Sequence, residues 1–192
     1  TESDSAGSAA ADAAASQPIE KAPVTDINSV HLRDNAELYN VYDDSGIVTM
    51  YLTVSRGNDS ENTTHSWAEI NHYSVYDYEA MGVSRYQVNG LLQVGDENGP
   101  VAGELGYDTL APNATVQIRG QTSSQNDQKN YKIKLKKNKG SWRGQRTIAL
   151  NKHMGEGLRF RNKMAYDLIK GIDQMMGLQT QFVHLYVKDL TN

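Results

Sequence analysis

The sequence predicts an α+β domain: a strand-rich, largely antiparallel sheet with one long packing helix. Two observations lead there. Runs rich in β-branched and aromatic residues recur between residues 47 and 188, separated by turn-forming stretches. Leu158 to Met176 alone shows sustained helical spacing, with Leu158, Ala165, Leu168, Ile169, Ile172 and Met176 on one stripe.

Taken in order, Thr1 to about Pro23 is small, acidic and free of aromatics. Such a segment buries too little apolar area to offset its ordering entropy, so residues 1–23 read as a disordered low-complexity linker and 24–192 as the domain. The chain opens on Thr1, which suggests a processed or trimmed start. A short helix is expected near Asn35–Tyr39. Ile47–Ser55 (IVTMYLTVS) is a strand, and Arg56–Thr64 is a polar loop. Ser66 with Glu69 forms a capping box that starts a short helix at SWAEIN. Tyr73, Tyr76 and Tyr78 follow, suited to stacking but more commonly used in packing. Arg85–Val94 is a second long strand, and GDENGPVAGELG a turn-rich connection.

The stretch ATVQIRGQTSSQNDQKNYKIKL, residues 114–135, reads as strand, polar turn, strand. Its second strand, Asn130–Lys137, alternates strictly. Tyr131, Ile133 and Leu135 share one face, and Lys132, Lys134 and Lys136 the other. An arginine, a glycine turn, hydroxyls and a lysine row suit an anion, above all a phosphate. Next comes the basic loop NKGSWRGQR, in which Trp142 either reads a nucleobase or covers the core edge. Arg146–Leu150 is a short strand. The helix after it is expected to stop at Gly177 and carries Arg159, Arg161 and Lys163 in its first turns. Cations there oppose the helix dipole unless they share an anion with the helix amides, which singles out Arg159 and Arg161. Thr180–Lys188 ends the chain as a strand, apolar on both faces and hence expected at the centre of the sheet.

Charge supports the anion reading. The net charge of −4 hides a strong asymmetry: Arg119–Lys163 holds 13 Lys and Arg against 2 Asp and Glu, and the remainder 6 against 21. A solvated lysine-rich hairpin is the plainer alternative for any single lysine. There is no cysteine, so disulfide and cysteine–zinc frameworks are excluded. The five histidines lack zinc-site spacing, and no metal site is expected. Walker A, G-x-S-x-G and H-R-D patterns are absent. No apolar run is long enough to span a membrane.

Three blocks, IRGQTSSQNDQKNYKIKL, RTIALNKHMGEGLRFRNKMAYDLI and TQFVHLYVKD, resemble the CotH family of spore-coat-protein-H-like atypical kinases. They span roughly Ala114–Asp189 in the family's order. The resemblance implies a divergent protein-kinase-like fold, here mostly its N-terminal lobe. It implies ATP with Mg2+ as cofactors, and phosphorylation of secreted or surface proteins. It assigns Arg119, Ser123 and Ser124 to the phosphate-gripping turn, Lys132 and Lys134 to the phosphate-binding strand, and Arg161 with Asn162 to the R-N-K block. The turn is one residue longer than the family's, so whether Thr122 or Ser123 takes the first hydroxyl role is open. Glu156 stands where many members have Asp. The family's downstream acidic residues are missing, so the catalytic residues are unknown and the chain alone is expected to be inactive. The implied setting is bacterial and extracellular or cell-surface, with a lipid anchor upstream and no specific nucleic-acid partner. The competing reading is a non-catalytic surface module whose basic hairpin holds an anionic polymer.

Overall fold

The computed structural model describes residues 43–172, 175 and 177–192. The expected linker at 1–23 and the helix near Asn35–Tyr39 lie outside them. Seven strands form one mixed sheet: β1 (Ile47–Ser55), β2 (Val88–Asp96), β3 (Gly99–Pro100), β4 (Ala114–Arg119), β5 (Asn130–Leu135), β6 (Thr147–Leu150) and β7 (Phe182–Asp189). Their order is β6-β5-β4-β2-β1-β7, with β3 hairpinned onto the end of β2. Every pairing is antiparallel except β1 with β7, which is parallel. The strand-rich, mostly antiparallel architecture expected from the sequence is therefore present.

The pleat sorts the side chains. Met50, Leu52, Val54, Val88, Leu92, Val116, Ile133, Leu135 and Ile148 are buried together on one face. Helix α1 (Trp67–His72) covers that face with Ile70 and Trp67, and its capping box at Ser66 and Glu69 is formed as expected. The Trp67 ring stacks on Tyr131 at 5.0 Å, and the Tyr131 hydroxyl donates to Asn71 Oδ1. Burial there pushes the Tyr131 phenol up to about 12.

A second helix, α2 (Val75–Met81), was not expected. Ser74 and Asp77 form its capping box, a signal the tyrosine-rich stretch obscured. Tyr73 and Tyr78 pack with Tyr86 in a ring cluster, and Tyr86 stacks on His65.

Two expectations at the C-terminal end are corrected. The last helix, α3, runs Arg161–Lys170 with Gly171 as its cap, so it is shorter than the expected 158–176 span. None of its residues is buried, and its apolar stripe does not face the core. Strand β7 is an end strand, not a central one. Val183 and Leu185 pack on the core, while Phe182 and Tyr186 stay largely exposed. Both-face apolarity here reflects one face on the core and one beside α3 and Tyr51, whose ring stacks on Tyr186 at 5.3 Å.

The β2–β4 ladder is only three residues long, Val88–Gly90 against Ala114–Val116. The side chain of Asn113 extends it. Its Oδ1 accepts from Leu92 N and its Nδ2 donates to Leu92 O, both at 2.8 Å, so one amide replaces a missing peptide pair. Asn113→Ala leaves the buried N–H and C=O of Leu92 without partners. Chemical denaturation should show a loss of about 2–4 kcal/mol.

Candidate anion-binding face

With Tyr131, Ile133 and Leu135 turned toward the core, the pleat puts Lys132 and Lys134 on the opposite face. In register, Lys134 sits beside Thr115, Lys132 beside Gln117, and Asn130 beside Arg119. Lys132 is thus a diagonal neighbour of Arg119, at a spacing of roughly 7–8 Å between backbones. Lys132 is half-buried and Lys134 exposed.

The third lysine of the row is already neutralised. Loop 56–63 closes tightly at Gly57, where a Cβ would meet Asn89 Nδ2 and Thr63 Oγ1 at 2.2 Å. That loop brings Glu61 to Lys136, with Oε2 and Nζ 2.7 Å apart. Among the described residues neither Lys132 nor Lys134 has an ion-pair partner. Two cations and Arg119 therefore share an open face with uncompensated charge, the electrostatic requirement for holding an anion.

Arg119 is positioned rather than loose, since its Nη1 donates to Asn151 Oδ1. The turn after it needs Gly120, whose φ is +95°, and a Cβ there would lie 2.0 Å from Ser123 Oγ. The chain then winds into a 3₁₀ turn, Thr122–Gln125. Ser123 Oγ accepts from Asn130 Nδ2 at 3.0 Å. Ser124 is fully buried. Its hydroxyl accepts from Val75 N at 3.0 Å and donates to Gln121 O at 2.6 Å. Ser124 thus joins the hairpin turn to the first residue of α2, which leaves its hydroxyl no capacity for a ligand. Thr122 is exposed, and its hydroxyl has no partner among the described residues. Lys129 Nζ donates to Ser124 O and braces the turn.

Loop 151–160 links this face to α3. Lys152 N donates to Asn130 Oδ1 at 2.7 Å, and His153 meets Asn162 at 3.4 Å. Both His153 and Arg159 adopt positive φ, +51° and +58°. Glu156 Oε1 accepts from the backbone N–H groups of Phe160 (3.0 Å) and Arg161 (2.8 Å). The anion at the α3 N-terminus is therefore the chain's own carboxylate, placed between Arg159 and Arg161. Arg161 is exposed at the first position of α3, which follows this loop.

Along α3, Asp44 meets Lys170 Nζ in the last turn within hydrogen-bond reach and Lys163 Nζ in the first turn at 3.4 Å. Burial alone would raise the Asp44 carboxyl, but the Lys170 hydrogen bond and both lysine charges outweigh it and hold it below the usual range. Burial would likewise lower Lys170, and Asp44 and Asp167 raise it instead.

The structure therefore brings Arg119, Lys132 and Lys134 together, sets Ser123 at their margin, withdraws Ser124 and leaves Arg161 as an outlier. Sequence reasoning missed Asn151 and Asn130, whose positioning roles carry no local signal. It also missed Glu156 as a helix cap and Glu61 as the partner of Lys136. Trp142 covers the core edge, with the Arg143 guanidinium 4.7 Å from its ring centroid. Among the described residues no cluster of three or more acidic or histidine side chains could hold a metal ion, and no helix is long and apolar enough to cross a membrane.

Residues 116–191 match the protein-family model described as CotH kinase protein. The match runs from Val116 in β4 through loop 151–160 and α3 to Thr191 after β7, so the CotH resemblance holds over that stretch. No curated protein and no solved structure matches the chain.

The geometry separates structural from ligand-facing hydroxyls. Ser124→Ala should lower stability by about 1–2 kcal/mol, read by thermal unfolding. It should leave phosphate or nucleotide affinity within about twofold, read by titration calorimetry, because only the two internal hydrogen bonds, to Val75 N and Gln121 O, are lost.

Proposed function

We propose that the chain is the nucleotide-binding half of a CotH-like protein kinase, with the β4–β5 hairpin gripping the phosphates of ATP. The observation that carries this reading is the pairing of Arg119 with Lys132 and Lys134 on one open face, inside the stretch matched to the CotH kinase family. Phosphoryl transfer asks little covalent chemistry of a protein. It needs phosphate groups held in position and their charge neutralised. Lys132 suits the innermost contact, since it is half-buried and beside Arg119. Lys134 suits a peripheral one. Arg119, held by Asn151, offers a planar fork to a phosphate oxygen pair. The exposed Thr122 hydroxyl and the backbone of the Gly120 turn complete the grip, in place of Ser124.

ATP brings the transferable phosphoryl group and Mg2+ the charge that bridges its phosphates. No residue is assigned to the metal, and no step is routed through it. In this reading the acceptor is a secreted or surface protein. The competing polymer-binding module draws on the same face, and also on exposed Lys137 and Lys139 just beyond β5.

Calorimetric titration with ATP and Mg2+ decides between them. The nucleotide reading expects Lys132→Ala to weaken binding by about tenfold or more, the scale of a lost charge-assisted hydrogen bond, and Lys134→Ala by about threefold or less. Equal small losses for Lys132, Lys134, Lys137 and Lys139, with affinity for a polyphosphate falling steeply with salt, would favour the polymer.

A further inference from the structure

The apolar residues of α3 are largely exposed. Leu158, just ahead of the helix, and Leu168 within it are 77% and 66% exposed. The half-buried side chains of α3 are Lys163 and Lys170, only 14% and 24% exposed, with Tyr166 and Ile169 beside them. Both meet Asp44, in the segment that leads into β1, and Asp167 on the helix contacts both, at 2.9 and 3.3 Å. An amphipathic helix ordinarily docks by its apolar stripe. Here four charges engage the helix, and Lys163 and Asp167 also line, with Phe160, Met164, Leu168 and Phe182, an open groove of about 370 Å³ between α3 and the start of β7.

Apolar burial is insensitive to added salt at moderate concentration, whereas partly exposed ion pairs are screened by it. The ties on α3 differ in kind: Asp44 reaches both its first turn, at Lys163, and its last, at Lys170. Its N-terminus is tied to its own loop by Glu156, and that tie moves with the helix. Its attachment to the sheet side of the molecule runs through Asp44.

We propose that α3 is a charge-latched strap: Asp44, gripping Lys163 and Lys170, holds the helix where it stands, and loss of that grip frees it from the body of the domain. Because Arg161 opens α3, the latch also sets where Arg161 lies relative to Arg119 and Lys132. The inference rests on the ion-pair geometry and holds whether the sheet face binds a nucleotide or a polymer.

Hydrogen–deuterium exchange on the full chain tests it, comparing the wild type, Asp44→Asn and Leu168→Ser. Amides of α3 should exchange about fivefold faster in Asp44→Asn, the scale of a lost partly shielded ion pair, with those of β2 and β4 unchanged. Raising sodium chloride from about 50 mM to about 1 M should speed α3 exchange in the wild type and add little in the variant. Leu168→Ser should match the wild type. Three results would overturn the latch: unchanged α3 exchange in Asp44→Asn, a rise that spreads equally into β2 and β4, or a Leu168→Ser effect as large as that of Asp44→Asn. The first would mean that the ion pairs do not hold the helix, the second that Asp44 supports the whole fold, and the third that apolar contact is the real tether.

Discussion

Burial of Ile133 and Leu135 in the core is the contact on which the polar side of the sheet depends. A strand has only two faces, and its side chains cannot be moved between them singly. Once Ile133 and Leu135 are held in the core, Lys132 and Lys134 must emerge together on the other side. A slip of one residue between β4 and β5 would drive three lysines into the apolar layer, so the register is under strong selection by energy alone. The charged face is thus an obligatory counterpart of the core and needs no separate scaffold.

What then distinguishes one lysine from the next is local. Lys136 is in the same row, but the loop folded at Gly57 delivers Glu61 to it. Arg119 lies two register positions beyond Lys132, and Asn151 fixes its direction. The result is a short row graded from paired to open. A uniform lysine strand in the sequence becomes, through two distant contacts, a face with a defined centre.

Periodicity carried much of this. The strand at Ile47–Ser55, the β4–β5 hairpin and the SWAEIN helix were legible because their patterns are satisfied by contacts close in sequence or by one buried face. The errors share a cause. The stripe from Leu158 and the two apolar faces of β7 obey the same periodic rules, but whether a stripe is covered depends on partners far along the chain, and periodicity does not report those. Likewise Ser124 looked like its neighbours in a hydroxyl-rich turn. Only the arrival of Val75 from another element shows that its hydroxyl is used internally.

The parallel pairing of β7 with β1 has a kinetic meaning. After β6 the chain crosses from one end of the sheet to the other, and β7 docks on the first strand described, with Leu190 N and Thr191 then fastening to Val54, Arg56 and Trp67. Contacts between such remote segments carry a high loop-closure cost and form late. During synthesis β1 therefore waits for its parallel partner until β7 emerges. A chain of this topology is most vulnerable to wrong strand partners while it is being made, and completing β7 ends that exposure for β1.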